Sequence, residues 1–233
     1  MSSILSLSRS GDQTLMDFGN QESYFEKEIK ASQSGTEAKL FKIRKLREGL
    51  LASKRNDQFA IMIYEMSVDE SFAQRNWQEL IKSLTRLLDL YSAQQTPFAR
   101  ENEMKNYLIF YVACFDTSKS DWIPQMRKFN MPLDAPSVLF LRALNRDIDF
   151  DAIEILWPSL NDNEKMLVNC CFATLRPRLI QLLSKSYFTI SKERLLSILL
   201  LDHTDQSLEI LQNILPFGMD NNSETVQLKR RKK

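Results

Sequence analysis

The sequence predicts an all-α fold: a degenerate helical-repeat array closed by a smaller C-terminal domain with a little β structure. Three observations lead there. Apolar residues recur at helical spacing from Leu40 to Ile214, in segments of ordinary helix length. Polar caps and prolines punctuate those segments at short intervals. Only 5 glycines occur among 233 residues, too few for the tight turns of β-sandwiches, phosphate-cradling loops or dinucleotide-binding units.

Residues 1–35 are rich in Ser, Gln, Gly and Asn and read as a mostly disordered tail with a short sticky segment at Leu15–Phe18. The array is expected over 36–160. From Thr36, Leu40, Ile43, Leu46, Leu50 and Leu51 repeat at helical spacing, with Lys39, Lys42, Arg44, Lys45 and Arg47 between them. Those cations point around more than one side, as a solvated face does; an acidic partner protein is the functional alternative. Asn56–Asp57 cap a second helix with Phe59, Met62, Ile63 and Met66 on one face. The third helix is the clearest. Trp77, Leu80, Ile81, Leu84, Leu87, Leu88 and Tyr91 make a continuous stripe after the cap Asn76, which core packing explains better than a cofactor does. Further helices follow around Tyr107–Cys114, at Trp122–Phe129, at Ala135–Leu144 and at Phe150–Trp157, the last stopped by Pro158. Helices joined by short loops make hairpins, and stacked hairpins make a solenoid. No strict consensus repeat is visible, so the array is degenerate.

The last third changes order. A helix over Asn163–Ala173 is expected to restart or kink at Arg176–Pro177 and to continue to Tyr187. Phe188-Thr189-Ile190 is short and extended in character. Ser191 caps a helix filled by Leu195, Leu196, Ile198 and Leu199, and Thr204 or Asp205 caps another through Ile214. Pro216-Phe217-Gly218, the polar Asp220–Ser223 and the alternating Thr225–Leu228 fit two short strands around a turn. Helix, β-touch, helix, helix, hairpin is the order of a winged-helix domain with a small β-hairpin, a helix-turn-helix relative, expected over 161–228. A basic tail occupies 229–233.

Composition narrows the function classes. Net charge is +1, so no global field draws the chain to nucleic acid or membrane, and any such attraction is local. Cys114, Cys170 and Cys171 lack framework spacing and read as buried thiols of the cytosol or nucleus, the adjacent pair pointing in different directions. No apolar run reaches the roughly 20 residues that span a bilayer, and Met1–Ser10 lacks the pattern of a signal peptide. His203 is the one histidine and sits in a polar turn, short of the ligand sets or base–nucleophile pairs that catalysis needs. Asp147, Asp149 and Asp151 read as turn and cap residues, without the glycine and terminal Glu of a calcium loop. No enzyme, metal or cofactor is expected. The pointed charge feature is Lys229, Arg230, Arg231, Lys232 and Lys233, five consecutive cations suited to phosphates or to a nuclear localisation signal. Lys185, Lys192 and Arg194 extend that basic surface if the winged helix forms. Arg176 is a candidate for a structural ion pair beneath it.

From about Asn56 to Leu215 the chain resembles the GANP-type family of mRNA-export and mRNA-processing scaffolds, relatives of PCI-domain proteins, in its compact processing-associated branch. The resemblance is carried by Ile63-Tyr64-Glu65 followed by Asn76-Trp77-Gln78-Glu79-Leu80 and Leu87-Leu88-Asp89-Leu90-Tyr91, and by the Tyr107–Tyr111 helix. It continues through Ala135–Leu144, Phe150, Pro158, Cys170–Leu175, Arg176, Leu179, Lys185-Ser186-Tyr187 and the helices that follow. The Cys- and Pro-containing entry motif of longer members is missing. The resemblance implies a non-enzymatic nuclear adaptor, a hetero-oligomer subunit that pairs with a PCI-domain partner, is clasped by a very small acidic protein and presents a basic surface to RNA. It places Ile190, Leu196, Leu199, Leu200, Val226 and Leu228 toward the partner, each against a plain core role. A subunit of a proteasome-lid or signalosome-type assembly is the alternative.

Overall fold

The computed structural model describes residues 14–31, 36–94, 97–115, 122–145, 149–201, 204–215 and 224–228. Lys229–Lys233, His203, Asp147 and the stretch from Pro216 to Ser223 lie outside them. Helix dominates, and one two-stranded antiparallel sheet is the β structure among the described residues. The chain divides into two compact units, Met1–Leu108 and Ile109–Lys233. The division expected near residue 160 falls inside the second unit.

In the first unit, α1 (Phe18–Tyr24) runs on as a π-helical turn, Phe25–Lys30; α2 (Thr36–Ala52), α3 (Gln58–Ala73) and α4 (Trp77–Ser92) follow. Asp57 and Asn76 cap as expected: their side-chain oxygens accept from the N–H of Ala60 (3.1 Å) and Glu79 (3.2 Å). On α4 the stripe residues Leu80, Leu84, Leu87, Leu88 and Tyr91 are buried, each such leucine contributing about 1.5–3 kcal/mol. The face expected on α3 is corrected. This helix packs against both α2 and α4, so its buried set is wider (Ala60, Ile61, Ile63, Tyr64, Ser67, Val68, Ser71 and Phe72), while Met62 is 37% exposed. Small Ser67 and Ser71 let neighbouring helices approach.

The tail reading of residues 1–35 is also corrected, for residues 18–30. Phe25 and Ile29 are buried, and Leu15 lies against Gly49, where an added Cβ would stand 2.7 Å from the Leu15 Cβ. Gln21 is buried and donates to the Leu15 carbonyl (2.7 Å) and to Ser53 Oγ (2.9 Å). Arg55 sits over the rings of Phe18 and Phe59, 4.5 and 4.3 Å from their centroids, and donates to Glu22 (2.6 Å) and Asp57 (2.8 Å). A segment too polar to make a core of its own borrows one from α2 and α3.

The last helix of the first unit, α5 (Glu101–Phe115), crosses the unit boundary. The second unit continues with α6 (Trp122–Lys128), α7 (Pro136–Asn145), α8 (Phe150–Leu156) with a 3₁₀ turn at Trp157–Ser159, and α9 (Asp162–Ser186). Phe140 links Phe110 and Trp157, with ring centroids 6.0 Å apart in both pairs. A full capping box starts α9: Glu164 N–H donates to Asn161 Oδ1 and Asn161 N–H to Glu164 Oε2, both at 2.9 Å. No restart occurs at Pro177. The helix runs through it, because Leu167, Val168 and Phe172 before it and Leu179, Ile180 and Leu183 after it are all buried, offsetting one lost backbone bond.

Candidate partner and nucleic-acid interface

At the end of α9, Tyr187 turns to extended backbone (φ −116°, ψ 139°) and leads into β1 (Thr189–Ser191). Strand β2 (Thr225–Gln227) pairs with it antiparallel, setting Thr189 opposite Gln227, Ile190 opposite Val226 and Ser191 opposite Thr225. Two flanking bonds lengthen the ladder: Leu228 N–H donates to the Phe188 carbonyl and Lys192 N–H to the Glu224 carbonyl, each at 2.8 Å. Any partner strand around Pro216–Gly218 lies outside the described residues. Between the strands come α10 (Lys192–Ile198), capped by Ser191, and α11 (Asp205–Ile214), capped by Thr204. The first packs on β1 and α8, the second on α9.

The residues read as partner-facing separate into two groups. Leu196 and Leu199 are fully buried, and Val226 and Leu228 are 1% exposed. These four fill the core of their own unit, the plain core role weighed against a partner role for each of them: the helix and the strand both turn their apolar sides inward. Ile190 and Leu200 are half-buried. Leu200 takes a left-handed backbone (φ 50°) that ends α10, and its N–H and that of Leu201 donate to the carbonyls of Ser197 and Leu196. Arg176 reaches this turn from α9. Its Nε donates to the Leu199 carbonyl (3.0 Å) and Nη2 to those of Leu200 (3.4 Å) and Asn169 Oδ1 (3.3 Å), over the Phe172 ring. Carbonyls at a helix end, rather than a carboxylate, hold this buried cation, and burial lowers its pKa from the usual arginine value.

The cations read as phosphate contacts are also sorted. Arg194 donates to Asp151 (2.6 Å) and to Glu154, and Ser197 Oγ donates to Glu154 (2.6 Å). Those bonds, Glu154's first, raise the arginine's pKa, and the bonds from Ser197 and Arg194 hold the Glu154 carboxyl below its ordinary value. Arg194 therefore stands in a surface ion-pair cluster with these two carboxylates, which oppose its charge. Lys192 lies in a small pocket with Asp205 and Glu209. Lys185 is exposed on the last turn of α9. The cations of α2 in the first unit are likewise opposed: Lys39 by Glu70, Lys42 by Glu28, Arg44 by Glu48 and Arg47 by Glu79, while Lys45 lies over Tyr24.

Beside β1 the surface is hollowed into an open groove of about 690 Å³, lined by Phe150, Leu182, Tyr187, Ile190 and Ile198 with Lys185 and Asp149 among its polar residues. Tyr187 and the neighbouring Phe188 are 52% and 48% exposed. Sequence reasoning named both aromatics but gave neither a place in a site. Their one signal was an aromatic pair outside any helical stripe, and nothing linear brings it beside Leu228. The thiol of Cys114 is hydrogen-bonded to that of Cys171, which together with burial pushes its pKa up, so Cys171 at least turns toward Cys114. Among the described residues no group of three His, Cys, Asp or Glu is arranged to hold a metal ion, and no helix is long and apolar enough to cross a membrane. No protein-family model matches the chain, and no curated protein matches it.

Proposed function

We propose that this chain is a non-enzymatic adaptor subunit of a nuclear complex in mRNA processing or export, pairing with a PCI-domain partner and touching RNA through a basic C-terminal surface. One observation carries the reading. The second unit ends in the order helix, strand, helix, helix, strand, with β1 and β2 side by side, which follows the winged-helix order up to one strand of its closing hairpin. Sequential packing of α2, α3 and α4 supports a repeat-like array before it. With Leu196, Leu199, Val226 and Leu228 occupied in the core, the partner contact falls on the groove around Ile190, Leu182 and Tyr187. A small acidic partner belongs elsewhere than on α2, whose cations already have carboxylate or aromatic neighbours.

Affinity purification of the tagged chain with cross-linking mass spectrometry tests this. A PCI-domain protein cross-linked near Lys185 and Lys192 is the expected result. Recovery of neither a PCI-domain protein nor a small acidic one sinks the reading, and co-purified proteasome or deneddylase activity transfers it to a lid or signalosome subunit.

A further inference from the structure

We propose that Cys114 and Cys171 are a redox pair, two reduced thiols that a small-molecule disulfide converts to one protein disulfide, tying the last turn of α5 to the middle of α9. The pair stands apart from the adaptor function proposed above and does not need it.

The 3 cysteines of the chain are Cys114, Cys170 and Cys171, and all of them are reduced and half-buried. Cys114 lies about 57 residues before Cys171, so the fold and not the sequence brings them together. Helix geometry aims them at one another. Cys114 comes one turn after Phe110 and Cys171 one turn after Leu167, and both of those side chains are fully buried. Each thiol therefore continues an inward-facing stripe. The two thiols are in hydrogen-bond contact, and sulfurs that already meet need no backbone movement to bond. Cys170 sits about 100° away around the same helix, out of that alignment.

The contact also sets the order of events. Cys114 donates the hydrogen bond and is held protonated by it and by burial. A thiolate is the nucleophile in disulfide exchange, so Cys171 attacks first. Its sulfur bonds to one sulfur of a disulfide such as glutathione disulfide, whose S–S bond breaks and releases one glutathione thiolate. Cys114 then gives its proton to solvent, and its sulfur attacks that of Cys171 and displaces the second glutathione. Two protein thiols lose two electrons, and one glutathione disulfide becomes two glutathiones. A reducing compartment reverses the step, so the bond is a switchable state.

The test uses the purified full chain, incubated folded with glutathione disulfide, quenched with acid, alkylated and mapped by mass spectrometry. A single Cys114–Cys171 link with Cys170 alkylated is expected, and excess reduced glutathione should return all three thiols. Cys114→Ser should stop at glutathionylated Cys171. Cys171→Ser should leave Cys114 reacting at least about tenfold more slowly than Cys171 does in wild type. Cys170→Ser should form the link as wild type does. In urea the preference for Cys171 over its neighbour should vanish. Amide exchange in the last turn of α5 should slow in the oxidised chain. The wild-type map decides the pairing even where a serine variant fails to fold. Three thiols left reduced, a main link through Cys170, glutathione arriving first on Cys114, or the same preference in urea overturns the proposal. Unchanged exchange in α5 after the link forms overturns its tying of the two helices.

Discussion

Buried arginines are treated differently in the two units. In the first, Arg47 and Arg55 are buried and meet carboxylates: Arg47 donates to Glu79 and Ser83, Arg55 to Glu22 and Asp57. In the second, Arg176 meets carbonyls at the end of α10, while the Arg194 cluster stays on the surface. A cation held by a carboxylate makes stability depend on ionisation. One held by peptide carbonyls does not. The first unit therefore stakes its core on charge pairs, and the second keeps its ion pairs where they decide what approaches from outside.

The largest expected effect comes from breaking the pair in the first core. Glu79→Ala leaves Arg47 buried without its partner and should cost about 3–5 kcal/mol in urea unfolding; a loss under about 1 kcal/mol would erase the contrast between the units. Arg55→Ala should cost roughly 2–3 kcal/mol, since several charge-assisted bonds go with it. Amide exchange should then rise in residues 18–30 before it rises in α4. Arg176→Met keeps the bulk and removes the donors to Leu199 and Leu200, for about 1–2 kcal/mol, with exchange rising near residues 199–201.

Acid sharpens the same comparison. Burial alone would raise the Glu79 carboxyl, but the Lys82 hydrogen bond and the charges of Arg47, Lys82 and Arg44 together hold it below its ordinary 4.5. A depressed folded pKa contributes stability above 4.5 that is lost as pH falls through the folded value. Exchange protection in α3 and α4 should fall in that window, and Glu79→Gln should remove that part of the dependence; the Arg176→Met cost should be the same above that window and within it. The smallest expected effect is Asp151→Asn with Glu154→Gln. Exposed ion pairs hold little stability, so the unfolding midpoint should barely move. If the proposed RNA contact holds, freeing Arg194 should tighten it on the order of two- to threefold, a change that anisotropy resolves.

Helices were legible wherever local chemistry decides them. The α4 stripe, the caps Asp57, Asn76, Ser191 and Thr204, and the extended Thr189–Ile190 could all be read from neighbours in the chain. What escaped was decided across the fold. Arg55 and Gly49 order the polar segment 18–30, and neither lies near it in sequence. Pro177 reads as a break until its flanking leucines are seen to share one core. Arg194 reads as a free cation because Asp151 and Glu154 sit some forty residues earlier. The groove was the least legible part. It exists only where α8, the end of α9, β1 and α10 meet.

The strand pair has a thermodynamic side. Ile190 and Val226 are about 36 residues apart in sequence, and closing a loop of that length costs about 3 kcal/mol of chain entropy by the logarithmic rule. A ladder of three residue pairs returns few hydrogen bonds against that cost. Such a closure belongs among the first parts of a unit to open in native-state fluctuations. A ligand touching both strands would bind only the shut ladder and so hold it shut. Its occupancy would then be readable as slowed amide exchange at Leu228 and Lys192, whose N–H groups donate across the pair.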